Sequence, residues 1–148
     1  MEDKNQFSSI NHFKKRNDHN FEEGGLRKTN IFKKSQEEKP LITIITVVLN
    51  NEKYLEENIQ SIQNQNYTNF EHIIVDGGST DKTIKIIKEN DKLIDYWLSE
   101  EDSGIYDAFN KGLKLARGDY IVFANSDDKF YDHNVLSTVV KYFKEDNE

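Results

Sequence analysis

No cysteine occurs among the 148 residues, and proline and tryptophan appear once each. Without thiols, a disulfide framework and a thiolate zinc site are both excluded, and the composition fits a reducing compartment. The longest apolar run, Leu41 to Leu49, is less than half of the roughly 20 residues a membrane helix needs. Met1 to Asn20 is polar and has no apolar stretch of the kind a signal peptide requires. No histidine among His12, His19, His72 and His133 has a second histidine at ligand spacing, so a histidine metal site is not expected. These absences make a cytoplasmic protein without a membrane span the default. A net charge of -7 argues against nucleic acid as a general partner.

What is present suffices for one domain. At 35% hydrophobic and 11% aromatic residues, a chain of this length buries a sizeable core and is too short for two ordinary domains. The charge is uneven: residues 1 to 40 carry a net +2 and the remainder a net −9. An acidic domain that handles an anionic substrate needs a counter-charge, and a divalent metal is one source.

The first 39 residues have no sustained periodicity, and we expect a flexible or loosely docked extension, bounded by Pro40. Beyond it the pattern alternates. Ile42 to Val48 is a continuous β-branched run suited to a strand buried on both faces. Leu55, Ile59 and Ile62 then recur at helical spacing through about Gln65. A strand is expected over 71–75, and then a helix carrying Ile84 and Ile87, with Ser79, Thr80 or Asp81 as its N-cap. Further strands fall at 94–98 and 120–124. Between them lies a helix with Ile105, Phe109, Leu113 and Ala116 on its inner face and Gly118 as its C-cap. A last helix places Leu136, Val139, Val140 and Phe143 on one side. Strands alternating with helices imply a mostly parallel α/β sheet covered on both faces, with ligands beyond the carboxyl ends of the strands. Polar clusters fall there: Asn50 to Glu52, Asp76 to Ser79, and Asn125 to Asp128.

Three segments can carry chemistry. Asp127-Asp128 are adjacent carboxylates that repel unless a cation lies beside them, and hard Mg²⁺ or Mn²⁺ suits such a pair together with diphosphate oxygens. The same residues also suit a solvated turn before the last helix. Asp76-Gly77-Gly78-Ser79-Thr80-Asp81 offers a carboxylate for a base or ribose and glycines that admit a ligand near the backbone. It reads equally as a well-made turn from strand to helix. In the helix opening at Gly104, Lys111 can face a phosphate and Tyr106 can stack on a base or sugar, with Asp107 and Asn110 a turn away. Asp107 and Lys111 alternatively form an exposed i,i+4 pair. Trp97 lies inside a strand pattern and is assigned to the core rather than to a sugar platform.

In this order the segments resemble family 2 glycosyltransferases. The pieces are Ile44 to Asn50, Glu71 to Asp81, Ser99-Glu100 with Gly104 to Ala108, Asn110-Lys111-Gly112, and Gly118-Asp119-Tyr120 leading into Asn125-Ser126-Asp127-Asp128. Together they cover about residues 40 to 148. Glu23 to Arg27 and Phe32 to Ser35 also look like the N-terminus of some bacterial polysaccharide-biosynthesis members. The resemblance implies a GT-A fold, with residues 40–148 an incomplete nucleotide-sugar-binding domain. It implies that Val47, Val48, Asn50, Glu52 and Asp76 hold base and ribose, that Asp127 contacts the ribose side, and that Asp128, with Asp127, ligates Mn²⁺ or Mg²⁺. Gly77, Tyr106, Asp107, Asn110 and Lys111 complete the implied donor site. The implied reaction is inverting transfer from a nucleoside-diphosphate sugar to a hydroxyl of a glycan or lipid-linked glycan. Two positions depart from the pattern: Gly77 stands where many members have a second Asp, and Asn125 where an Asp is common. The family's catalytic base follows the acidic cluster by more than this chain extends, so the base is expected beyond residue 148. The alternative reading is a catalytically inactive nucleotide-sugar-binding fragment, or one piece of a split enzyme.

Overall fold

A computed structural model describes residues 20–146. The elements run β1 (Glu22–Gly24), a 3-10 turn (Leu26–Thr29), β2 (Ile42–Val48), α1 (Leu55–Gln63), β3 (Phe70–Asp76), α2 (Thr83–Glu89), β4 (Tyr96–Ser99), α3 (Ile105–Leu115), β5 (Tyr120–Phe123) and α4 (Val135–Asp146). They form one five-stranded sheet in the order β1-β4-β3-β2-β5, parallel throughout except for β1, which runs antiparallel to β4.

The expected parallel α/β sheet is therefore present, and its two central strands explain why it forms. All seven residues of β2 and all seven of β3 are buried, which requires helices on both faces. On one face Ile45, Val47, Ile73, Val75, Tyr96 and Leu98 pack under Ala108 and Leu115 of α3. On the other, Ile42, Ile44 and Ile74 meet α1, α2 and α4 through Ile62, Ile59, Ile87, Leu136 and Val140. Trp97 is core, 3% exposed, and its indole N–H donates to Asp91 at 2.7 Å.

Several local expectations are corrected. Strand β4 starts at Tyr96, because Asp95 turns its carboxylate onto the His72 N–H and the Lys33 ammonium. Strand β5 ends at Phe123, although Ala124 N still donates to Ile45 O. Helix α3 packs Phe109 and Ala116 against the core as expected, but not Ile105 and Leu113. Ile105 and Leu113 are 53% and 42% exposed, while Ala108, Lys111, Gly112 and Leu115 face the sheet. Gly118 is not the cap of α3, which ends on Ala116 in an extended conformation. Its missing side chain serves close approach instead: a Cβ there would lie 2.6 Å from Thr43 N and Oγ1 and 2.8 Å from Leu41 O. Phe143, assigned to the inner face of α4, is 38% exposed and stacks on Tyr120.

Where the sequence suggested a flexible or loosely docked extension over 1–39, residues 20–39 contribute the edge strand β1 and a buried ion pair. Arg27 reaches Glu71 at 2.7 Å and the Leu115 carbonyl at 2.8 Å, and both charged side chains are under 5% exposed. Residues 1–19 lie outside the described residues. Among the described residues, no helix is long and apolar enough to cross a membrane.

Candidate functional site

Because β2, β3, β4 and β5 run parallel, their carboxyl ends share one edge, and the register sets Val48 beside Asp76 and Asp76 beside Ser99. Four loops rise there. The loop after β2 and the loop after β3 are laced together. Asn50, in the left-handed region at φ 50°, receives a hydrogen bond from Thr80 N on its side-chain oxygen and donates its own N–H to Ser79 Oγ. Glu52 accepts from Lys82 N, and Asp81 accepts from Glu52 N and Thr83 N. Partial burial pushes the Asp81 carboxyl upward, but these hydrogen bonds to its charged form outweigh that and hold it below the ordinary range. None of the three expected caps is the N-cap of α2, a position held by Lys82, although Asp81 still meets the amide of Thr83 at the helix start.

Two adjoining cavities open along this edge. The smaller, about 340 Å³, is bounded by Val47 to Leu49, by Asp102, Gly104, Ile105 and Ala108, and by Asn125 to Asp127. The larger, about 760 Å³, continues past Gly77 to Thr80, Ser99 and Glu101 to Glu22 and Asn20. They meet at Leu49, Asp102 and Gly104, which border both. Among the described residues, no lysine, arginine or histidine lines either cavity, whereas Glu22, which pairs with the Lys88 ammonium, Glu101, Asp102 and Asp127 do.

The structure brings Val47, Val48, Gly77 and Asp127 to these walls. Asp76 lies at the same edge but is fully buried. Its carboxylate accepts from Gly78 N, Ser79 N, Ser79 Oγ and Ser99 Oγ, so it builds the turn instead of projecting into the cleft. Asn50 and Glu52 are likewise committed to the loop lacing. Lys111 does not face a phosphate: it is 4% exposed, with its ammonium 2.9 Å from Glu100 and 3.5 Å from Asp107. The Lys111–Glu100 contact is close but off hydrogen-bonding angle, leaving both atoms without a hydrogen bond. Tyr106 is 82% exposed at the start of α3, and Asp107 and Asn110 lie along that helix without lining the cavities.

Asp127 and Asp128 are exposed on the turn after β5, whose amide Asp128 N closes onto Asn125 O at 3.0 Å. Their carboxylates make no hydrogen bond or ion pair among the described residues. No group of three or more His, Cys, Asp or Glu side chains gathers as a metal site among those residues. The chain itself thus offers a divalent ion two unpaired hard oxygen donors at the rim of an anion-lined cleft. That suits Mg²⁺ or Mn²⁺, whose remaining positions go to water and phosphate oxygens.

Sequence reasoning missed Asp102, whose Oδ1 accepts Gly104 N while Oδ2 stands 2.7 Å from where a Cβ on Gly77 would lie. The glycine at 77 thus leaves room for the carboxylate at 102. Its signal was present in the sequence as an acid two residues before Gly104. Asn58 was missed as well, with no local signal, since its partners lie 67 and 70 residues away.

A parallel sheet of this order, with its site at the carboxyl edge, has the GT-A architecture. The family model described as "Glycosyl transferase family 2" matches residues 43–148. The chain belongs to glycosyltransferase family 2. It is similar to the putative teichuronic acid biosynthesis glycosyltransferase TuaG of Bacillus subtilis, with 40% identity over 95 residues, 62% of this chain and 38% of that one. Among solved structures, S. aureus TarS in complex with UDP-GlcNAc matches at 28% identity and a TM-score of 0.64, over 70% of this chain and 31% of that one. The mannosyltransferase PcManGT from Pyrobaculum calidifontis, in complex with GDP-Man and Mn²⁺, shares the fold at 22% identity and a TM-score of 0.67, over 94% of this chain and 41% of that one. The chain spans 37–39% of the length of the first curated relatives it matches.

Proposed function

We propose that this chain is the donor-binding part of an inverting, cytoplasmic glycosyltransferase that takes a nucleoside-diphosphate sugar with Mn²⁺ or Mg²⁺. The observation that carries the proposal is the pair of carboxylates, Asp127 and Asp128, unpaired among the described residues, at the rim of a cleft that none of the described cationic side chains lines. A diphosphate cannot settle among Glu22, Glu101, Asp102 and Asp127 unless its charge is met, and the residues best placed to hold a counter-ion are these two aspartates. When bound, the divalent ion would neutralise charge on the departing diphosphate.

In this reading Val47 to Leu49 and the Gly77 turn receive the nucleoside. Asp76 acts by shaping that turn, while Asp102 presents the open carboxylate to base or ribose. Asp127 and Asp128 hold the metal. That TarS binds UDP-GlcNAc and that PcManGT binds GDP-Man with Mn²⁺ supports the ligand class and leaves open which base and sugar this chain takes. The relationship to TuaG supports a glycan or lipid-linked glycan as the hydroxyl acceptor. Acceptor binding and the base that deprotonates the attacking hydroxyl fall to the part of the longer relatives that the match does not span.

Calorimetric titration with UDP, GDP and their sugar conjugates, with Mn²⁺ and with EDTA, tests the proposal. Binding is expected only with the metal, weakened at least about tenfold by Asp128→Ala, with transfer to added acceptors slow or absent. Binding indifferent to both EDTA and Asp128→Ala would sink it.

A further inference from the structure

The segment 124–134 between β5 and α4 contains neither helix nor strand, yet it carries the two aspartates. Its main chain is fastened to a single stripe of side chains. Asn58 Nδ2 donates to the carbonyls of Asn125 at 3.0 Å and Asp128 at 2.8 Å. Ser61 Oγ accepts from Phe130 N at 3.1 Å. Gln65 donates to Asp132 O at 2.6 Å and accepts from Leu136 N, the first turn of α4, at 3.0 Å. Asn58 and Ser61 are one helical turn apart on α1, and Gln65 follows a turn later, just past its end, so all three face the same way. Asn58 and Gln65 are 1% and 5% exposed.

Asn58 is itself held from behind. Its Oδ1 lies 3.4 Å from Thr46 Oγ1, which lies 2.8 Å from His72 Nε2. His72 is fully buried and its Nδ1 has no partner. A buried orphan lone pair costs less than a buried orphan N–H, which assigns the proton to Nε2. Donation then runs one way, from His72 to Thr46 to Asn58, and from Asn58 to both ends of the acidic turn.

We infer that Asn58, Ser61 and Gln65 are positioning residues that hold Asp127 and Asp128 in place for the divalent ion, a role that rests on the donor-site reading above. Adjacent carboxylates repel in the absence of a cation, and an unclamped turn relieves that repulsion by splaying. Five hydrogen bonds to main-chain atoms oppose the splaying, so that the site is formed before the metal arrives.

The test uses the whole chain and four proteins: unaltered, Asn58→Ala, Ser61→Ala, and Ile59→Val. Ile59→Val is a destabilised control altered on the core side of the same helix, where Ile59 is fully buried. Mn²⁺ affinity is read by electron paramagnetic resonance in the presence of UDP or GDP, and amide exchange is followed without metal. Asn58→Ala is expected to weaken Mn²⁺ about tenfold or more, Ser61→Ala to weaken it less, and Ile59→Val to leave it unchanged. The Phe130 amide should lose protection in Ser61→Ala while β2 and β3 amides keep theirs. Mn²⁺ affinities within twofold of the unaltered chain in both polar variants overturn the inference, as does an equal loss in Ile59→Val. If the unaltered chain takes up no Mn²⁺ with either nucleotide, the donor-site reading itself fails, and the positioning role with it.

Discussion

Acidification should destabilise this fold in part through His72. Burial strips the imidazolium of water, and the nearby Lys33 ammonium adds repulsion, so its pKa falls from 6.5 to about 3. The unfolded chain protonates this histidine below about pH 6.5, while the folded chain stays neutral. Stability from His72 is therefore fully present above the unfolded value and is lost as pH falls towards the folded one. With about 1.4 kcal/mol per pH unit below 6.5, lowering the pH from 7 to 5 removes about 2 kcal/mol, a sizeable share of a marginal fold. Other groups titrate in the same interval, so the measurement is a difference. Urea unfolding of the unaltered chain and of His72→Gln, whose amide can still meet Thr46 Oγ1, is compared at pH 7 and pH 5. The unaltered chain should lose about 2 kcal/mol more than the variant across that interval. Equal losses, or a His72 resonance titrating near pH 6.5 in the folded chain, would refute the reasoning.

Two further outcomes test the packing. Arg27→Met leaves Glu71 buried without its guanidinium, with only Thr43 Oγ1 and Arg117 N still donating to it, and should cost about 3–5 kcal/mol in chemical denaturation; a loss below about 1 kcal/mol contradicts this. Gly118→Ala sets a methyl against the main chain of Thr43 and Leu41, which cannot swing aside as a side chain would. It should cost about 1–3 kcal/mol, and an unchanged urea midpoint would show that the strands part more easily than described.

The strands that are wholly buried were legible, because Ile42 to Val48 and Ile73 to Val75 are apolar or β-branched without interruption and leave no choice of face. Helix α3 was harder. Its large apolar residues Ile105 and Leu113 suggested the inner face, but small residues decide it. A Cβ on Gly112 would lie 2.5 Å from Ile45 Cγ2, so this helix approaches the sheet closely along Ala108 and Gly112. Lys111 joins that face beside Glu100, the residue that follows β4, a pairing that periodicity does not encode. Within the site, the acidic turn and the Gly77 turn were readable as polar punctuation at strand ends. The different roles of two similar aspartates were not. Asp76 is consumed by its own turn and by Ser99 from β4, whereas Asp102 accepts from Gly104 N within its own loop and still borders both cavities.

Among the described residues, every charged side chain on the cleft walls is acidic, and that also bears on the rate at which a ligand arrives. Most phosphate-binding proteins draw their anions in with a positive field, and dilute salt speeds the encounter. Here Glu101, Asp102 and Asp127 repel a free nucleotide anion, and the Debye length of about 10 Å at 0.1 M salt sets how far that repulsion reaches. Added salt should therefore hasten capture of the bare nucleotide. A nucleotide already carrying its divalent ion meets a smaller barrier, so arrival as the preformed complex becomes the faster route. The carboxylates around the entrance would then act as a kinetic filter, turning away uncomplexed phosphates before any contact specific to a base or a sugar is made.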